Sequence, residues 1–226
     1  MGHLFLHETL DPVRAAGAHT RYLDELGEVV RREGNAEGSA GGECIAAWAP
    51  VFLTGDWPRI ITFWEMPGGW DGFGRHFDGH DDLFHKPLER WYGERTGGFD
   101  RVLEGTDFSP SRAEIEAQAL RAPVVLQEIV SLRAGGADDY LARLGDAKAA
   151  IEASCPFGVI GGYRTAFRHG TEVMLLWRFP DMTTLTRAER RPADFPAYAA
   201  FLERVRAQTI THTGLVLRPT AWSLLR

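Results

Sequence analysis

The chain has 226 residues, of which 44% are apolar and 25% charged, with 25 Lys and Arg against 31 Asp and Glu for a formal net charge of −6. That length allows one large domain or two small ones, and the composition is that of an ordinary globular protein. The acidic balance and the scattered basic residues exclude a nucleic-acid surface, which needs clustered Lys and Arg, and no run of 18 apolar residues marks a membrane span.

A first strand is expected over about 3–10, because His3, Phe5, His7 and Thr9 alternate with Leu4, Leu6, Glu8 and Leu10. That period of two is what a strand with two distinct faces requires. A helix follows over about 13–32, with Tyr22, Leu26, Val29 and Val30 on one stripe and Arg31 and Arg32 solvated. The Gly, Asn and Ser content of 34–42 reads as a loop. Two strands come next, about 43–53 and 58–66, then a short helix, a longer helix over about 83–95 and a strand over about 99–107. Residues 109–121 read as a linker in which Arg112-Ala113-Glu114-Ile115 starts a short helix. The same order then returns: strand 123–132, helix 136–153, and strands 158–168 and 172–179 about a tight Arg168-His169-Gly170 connection. A short helix, a helix over 194–208 and a strand over 212–218 complete it.

The return is a sequence repeat as well as a pattern. Leu6-His7-Glu8 recurs as Leu126-Gln127-Glu128, and Tyr22-Leu23-Asp24-Glu25-Leu26 as Tyr140-Leu141-Ala142-Arg143-Leu144. Ile45 to Trp48 recurs as Ile160 to Tyr163, and Trp64-Glu65-Met66-Pro67 as Trp177-Arg178-Phe179-Pro180. Leu88-Glu89-Arg90 recurs as Leu202-Glu203-Arg204, and Thr106, Phe108 and Ser109 as Thr220, Trp222 and Ser223. The offset drifts only between 113 and 120 residues, so the six matches point to duplication. Each copy is a βαββαβ, ferredoxin-like unit: 1–108, a linker 109–121, and 122–226. One such unit has a sheet with helices on a single face. The fold expected is therefore α+β, two tandem units whose antiparallel sheets pack face to face within one polypeptide.

Leu126-Gln127-Glu128-Ile129, Gly161-Gly162-Tyr163-Arg164-Thr165, Val173 to Phe179 and the closing Leu217-Arg218-Pro219-Thr220-Ala221-Trp222-Ser223-Leu224 resemble the NIPSNAP domain of the dimeric α/β-barrel superfamily. The likeness covers 123–226. The first copy is similar but more diverged, with Glu104-Gly105-Thr106-Asp107-Phe108 where the second has Arg218-Pro219-Thr220-Ala221-Trp222. The superfamily includes monooxygenases, polyketide cyclases, lactone isomerases and haem enzymes. The resemblance thus implies a cavity between sheet and helices but no single chemistry and no catalytic residue.

Differences between the copies point to a candidate site. Four histidines of the first copy lack a counterpart: His7 matches Gln127, His76 matches Glu189, His80 matches Asp194 and His85 matches Ala199. The first copy also holds five of the seven tryptophans, Trp48, Trp57, Trp64, Trp70 and Trp91. An aromatic half with unmatched histidines suits a ligand pocket. His7, His76, His80 and Glu8 are the candidate acid/base residues, since imidazole titrates near neutral pH. Trp48, Trp64, Phe73, His85 and Trp91 are candidate substrate contacts, though Trp64 also reads as core. Spacing of i, i+4 puts His76 and His80 on one helix face where a metal could bind, but Gly79 interrupts it and no full ligand set follows. Asp81 and Asp82 also suit the N-terminus of the next helix.

Glu8 and Glu128 share a strand position and read equally as a structural carboxylate pair. Glu65 and Arg178 each follow the shared Trp and are candidates for a salt bridge across the pseudo-twofold. His169 and His212, at strand ends, read as surface residues. Cys44 and Cys155 form no disulfide framework and read as free thiols. Met1-Gly2-His3-Leu4 lacks a signal-peptide pattern, so a cytoplasmic location is expected. No dinucleotide fingerprint, phosphate loop or nucleophile elbow is present. The leading expectation is a cofactor-independent isomerase, cyclase or monooxygenase acting on a small apolar aromatic or polyketide-like metabolite. Haem or divalent-metal binding through a first-copy histidine, and non-catalytic ligand binding, are the alternatives. A chain with both barrel halves has no need to dimerise for closure, and association through other faces stays open.

Overall fold

A computed structural model describes residues 3–32, 42–55, 57–78 and 93–226. The first half comprises β1 (Leu4–Pro12), α1 (Ala18–Arg32), β2 (Glu43–Pro50), β3 (Ile60–Met66), α2 (Gly69–Asp78) and β4 (Arg95–Gly105). A connecting helix α3 (Arg112–Ala117) leads to β5 (Val124–Leu132), α4 (Gly136–Ser154), β6 (Gly158–Thr165), β7 (Glu172–Phe179), α5 (Met182–Arg190), α6 (Pro196–Val205) and β8 (Thr209–Pro219). The helix expected over 83–95 lies largely outside the described residues. β4 and β8 start earlier than their expected 99 and 212, because pairing to β1 and β5 carries the ladder on to Arg95 and Thr209. Gly97 and Gly98 are polar-loop residues by propensity, yet here they are held as strand by Asp11 and Leu10.

The sheets do more than face each other. The strands close into one antiparallel barrel in the order β1-β3-β2-β8-β5-β7-β6-β4. Two short seams join the halves, Trp48 to Pro50 against Leu217 to Pro219 and Leu103 to Gly105 against Tyr163 to Thr165. Over these seams closure pairs strand edges that two open sheets would leave bare.

Alternation then sorts the side chains into two compartments. Phe5, Trp48, Ile61, Phe63, Tyr163 and Leu176 belong to the barrel interior, which is packed solid. Phe5 stacks on Phe63 at 5.1 Å, and Tyr163 meets both edge-on at 5.2 and 5.4 Å. The opposite faces carry the helices, with Leu10, Tyr22, Leu26 and Trp64 under α1 and Leu126, Tyr140, Trp177 and Phe201 under α4 and α6.

The halves also exchange their ends. After β4, Phe108 packs into the second half's outer core, and Ser109 accepts the Gly162 N–H at 3.0 Å while donating to the Gly162 carbonyl at 2.7 Å. After β8, Trp222 packs into the first half, and Ser223 accepts the Ala47 N–H at 3.0 Å and donates to its carbonyl at 2.9 Å. Mid-helix glycines admit both rings: a Cβ on Gly27 of α1 would lie 2.5 Å from the Trp222 indole nitrogen, and one on Gly145 of α4 would lie 3.1 Å from Phe108. Helix α3 opens with a capping box between Ser111 and Glu114 and buries Ile115. Its first N–H, from Arg112, is accepted by Glu65 at 2.5 Å. The expected Glu65–Arg178 bridge is therefore absent. Glu65 also holds His3 at 2.7 Å, and Arg178 is drawn to Glu152 at 3.9 Å, so each side chain is engaged by other partners.

Candidate functional site

His7 and Glu8 are adjacent on β1 and so point to opposite faces of the sheet. His7 is fully buried in the barrel, its Nε2 2.7 Å from the Gln127 amide oxygen, which joins the two matched positions of the repeat across the interior. Burial pushes its pKa down to about 4; the Gln127 bond opposes this and the charge of Arg101 adds to it. Arg101 in turn pairs with Glu172 at 2.9 Å. His7 is thus a neutral, enclosed link between halves, and it shares no pocket with Glu8. Trp48, the other interior candidate, is fully buried.

Glu8 lies on the helix-facing side. The Trp64 indole N–H donates to it at 2.8 Å and the Thr62 hydroxyl at 2.5 Å. The β1–β4 register places Asp100 directly opposite Glu8. Asp100 is open to solvent on one side, yet its pKa is pushed up to about 6, first by the desolvating wall behind it and then by the charge of Glu8, against the pull of Arg95. Tyr22, reaching down from α1, is raised well above the usual tyrosine range by burial and by Glu8, while a hydrogen bond to Arg95 opposes the rise. Beside these residues an open recess of about 390 Å³ is lined by Leu10 and the Arg95–Asp100 stretch. Gly98 adopts φ 152°, and a Cβ there would lie 2.3 Å from the Thr9 carbonyl, so a glycine is required at this wall.

The second half repeats the frame and reverses its charge logic. Glu128 accepts the Trp177 indole N–H at 2.6 Å and pairs with His212 at 2.8 Å. His212 occupies the strand position of Gly98, and Gly214 that of Asp100. The imidazole, expected at the surface, is exposed there and is tethered to a buried carboxylate that raises its pKa. Tyr198 of α6 meets Trp177 edge-on at 5.4 Å, and Phe201 meets Tyr140 at 5.9 Å, so this face is filled by aromatic packing.

The remaining candidates are dispersed. His76 sits on α2 with its ring edge-on to Phe77 at 5.0 Å. Phe73 belongs to an aromatic stripe on that helix, 4.5 Å from Phe77 and 5.5 Å from Trp70. His80, His85 and Trp91 lie outside the described residues. Among the described residues no group of three or more His, Cys, Asp or Glu is placed to hold a metal, and no helix is long and apolar enough to cross a membrane. Trp64 is core that lends its N–H to Glu8. Asp100, Tyr22 and Arg95 escaped the sequence reading, although the contrast of Asp100 with Gly214 was available from the same comparison of copies that singled out the histidines.

No family model and no curated protein matches the chain. Solved structures do. An anthrone oxidase-like protein is similar over 97% of this chain and 92% of its own, at 15% identity and a TM-score of 0.69. A candidate monooxygenase from Lactobacillus acidophilus aligns over 97% and 94%, at 11% identity and a TM-score of 0.62. A NIPSNAP family protein from Agrobacterium tumefaciens aligns over 46% of this chain and 98% of its own, at 23% identity and a TM-score of 0.39. The full-length likenesses show the fold: a single-chain α/β barrel built from two repeated units.

Proposed function

We propose that this chain is a cofactor-independent enzyme that begins its reaction by removing a proton from a small, largely apolar aromatic or polyketide-like substrate at the open face of the first unit. The carrying observation is the Glu8–Asp100 pair beside the recess. A general base works best with a pKa near the operating pH, and desolvation, followed by the charge of Glu8 facing it on the neighbouring strand, pushes Asp100 upward. Asp100, held near 6 and open to solvent, suits the base. Glu8, fixed by Trp64 and Thr62, sets the charge beside it. The Tyr22 hydroxyl stays protonated and hydrogen-bonds Arg95, which lines the recess. Leu10 and Phe99 supply apolar contact along the recess.

In the first step a C–H or O–H bond next to an aromatic carbonyl breaks, the proton passes to Asp100 and the electron pair remains on the substrate as an enolate or phenolate. The full-length neighbours favour oxygenation over isomerisation or cyclisation as the second step: the carbanion carbon bonds dioxygen, the proton returned by Asp100 completes a hydroperoxide, and its O–O bond and the remaining C–H bond break to leave the carbonyl and release water. Anthrone serves as the probe. Under argon in deuterated buffer, the protein should accelerate exchange of its methylene protons; in air it should form the quinone. Asp100→Asn should slow exchange about 100-fold or more, the usual contribution of a positioned base, while His7→Gln should leave it intact. Full exchange activity in the Asn variant refutes the assignment of the base; exchange without quinone refutes oxygenation alone.

A further inference from the structure

β8 pairs with β5 from Thr209 to Leu217, but on its other side β2 covers only Leu217 to Pro219. The Val51 N–H caps the Val216 carbonyl at 2.8 Å and nothing among the described residues pairs with the strand beyond it. Five consecutive residues, Ile210 to Gly214, are exposed there, and Ile210 is 62% accessible. Such edges template further strands, and proteins normally blunt them with charge or proline. The equivalent β4 edge is blunted in that way, by Arg95, Asp100, the Gly97-Gly98 pair and the Arg101–Glu172 bridge. The β8 edge, Thr-Ile-Thr-His-Thr-Gly, carries no carboxylate, no Lys or Arg and no proline.

We propose that β8 pairs antiparallel with β8 of a second copy of this chain, continuing the barrel sheet across a twofold axis. The alternation argues for a second copy over an unrelated strand. With the axis through Thr211, Thr209 faces Thr213 of the other chain and Thr211 faces its own counterpart, which places a threonine ladder on one face. Ile210 faces His212 on the other, so no two like charges are opposed and the exposed isoleucine is covered. A twofold contact of this kind is isologous and closes at two chains.

The test is a charge swap on the axis, read by sedimentation across a micromolar concentration range. The wild-type chain should run at twice the monomer mass. Thr211→Lys and Thr211→Glu should each run as monomers with unchanged circular dichroism, because like charges then face each other. An equimolar mixture of the two should recover the doubled mass. A monomeric wild-type chain, a dimeric single variant with native dichroism, or a mixture that stays monomeric overturns the proposal.

Discussion

Replacing Ser223 by Ala tests the exchange of chain ends directly. Its hydroxyl is fully buried, accepts the Ala47 N–H at 3.0 Å and donates to the Ala47 carbonyl at 2.9 Å. Removing it strands a buried N–H, which costs about 1–3 kcal/mol, and deletes a donated bond worth about 1 kcal/mol. The carbonyl keeps the Thr220 N–H at 3.0 Å, so it is not orphaned. The expected loss is therefore about 2–4 kcal/mol, which for a chain of this size lowers Tm by about 4–16 °C. Urea unfolding followed by tryptophan fluorescence measures it, with the midpoint falling at unchanged slope. Ser109→Ala, which makes the matching contacts to Gly162 in the other half, should cost the same, and the double variant should show the sum because the two serines share no partner. A loss below about 0.5 kcal/mol would refute the view that these serines fasten the halves.

The two mid-helix glycines should respond unequally. Gly27→Ala adds helix propensity worth about 1 kcal/mol but sets a methyl 2.5 Å from the Trp222 ring, and overpacking of about 1–3 kcal/mol wins. Gly145→Ala, at 3.1 Å from Phe108, should be close to neutral in the same thermal melt. For His7, a fall from 6.5 to about 4 on folding means that the unfolded chain binds the extra proton first. Stability is full above pH 6.5 and should drop by about 3 kcal/mol as pH falls to 4. His7→Gln should flatten that limb, and parallel curves would exclude His7 as its source. For Asp100 the sign reverses. Its raised pKa stabilises the fold below about 3.8 and that contribution disappears as pH climbs through about 6. The wild-type Tm measured relative to Asp100→Asn should therefore decline from pH 4 to pH 7.

The fold was legible because its signals are periodic and occur twice. His7 and Glu8 on alternate faces, the shared Trp64 and Trp177, and the Thr106–Ser109 and Thr220–Ser223 motifs could each be read without coordinates. What those motifs do was not legible. A serine that bonds the other copy's backbone looks in sequence like one that caps its own strand, and Gly27 and Gly145 look like weak helix positions until the incoming rings are seen. The site was less readable for a different reason. An unmatched histidine marks His7 as readily as a catalytic base, yet His7 faces the packed interior while its neighbour Glu8 faces the helix side beside the recess. Asp100 lies inside the expected strand, but its place opposite Glu8 depends on register, and starting β4 at 99 in place of Arg95 left the Gly98 wall outside the strand.

Joining the two halves in one chain has a consequence for what the molecule can become. In a barrel assembled from identical polypeptides, every substitution appears twice, so both faces must tolerate it. Here the strand position that holds Gly98 on one side holds His212 on the other. Covalent linkage uncouples the faces: one is free to trade ligand space for aromatic filling while the other stays open. The asymmetry of this protein is written into its gene and needs no conformational change to break an equivalence.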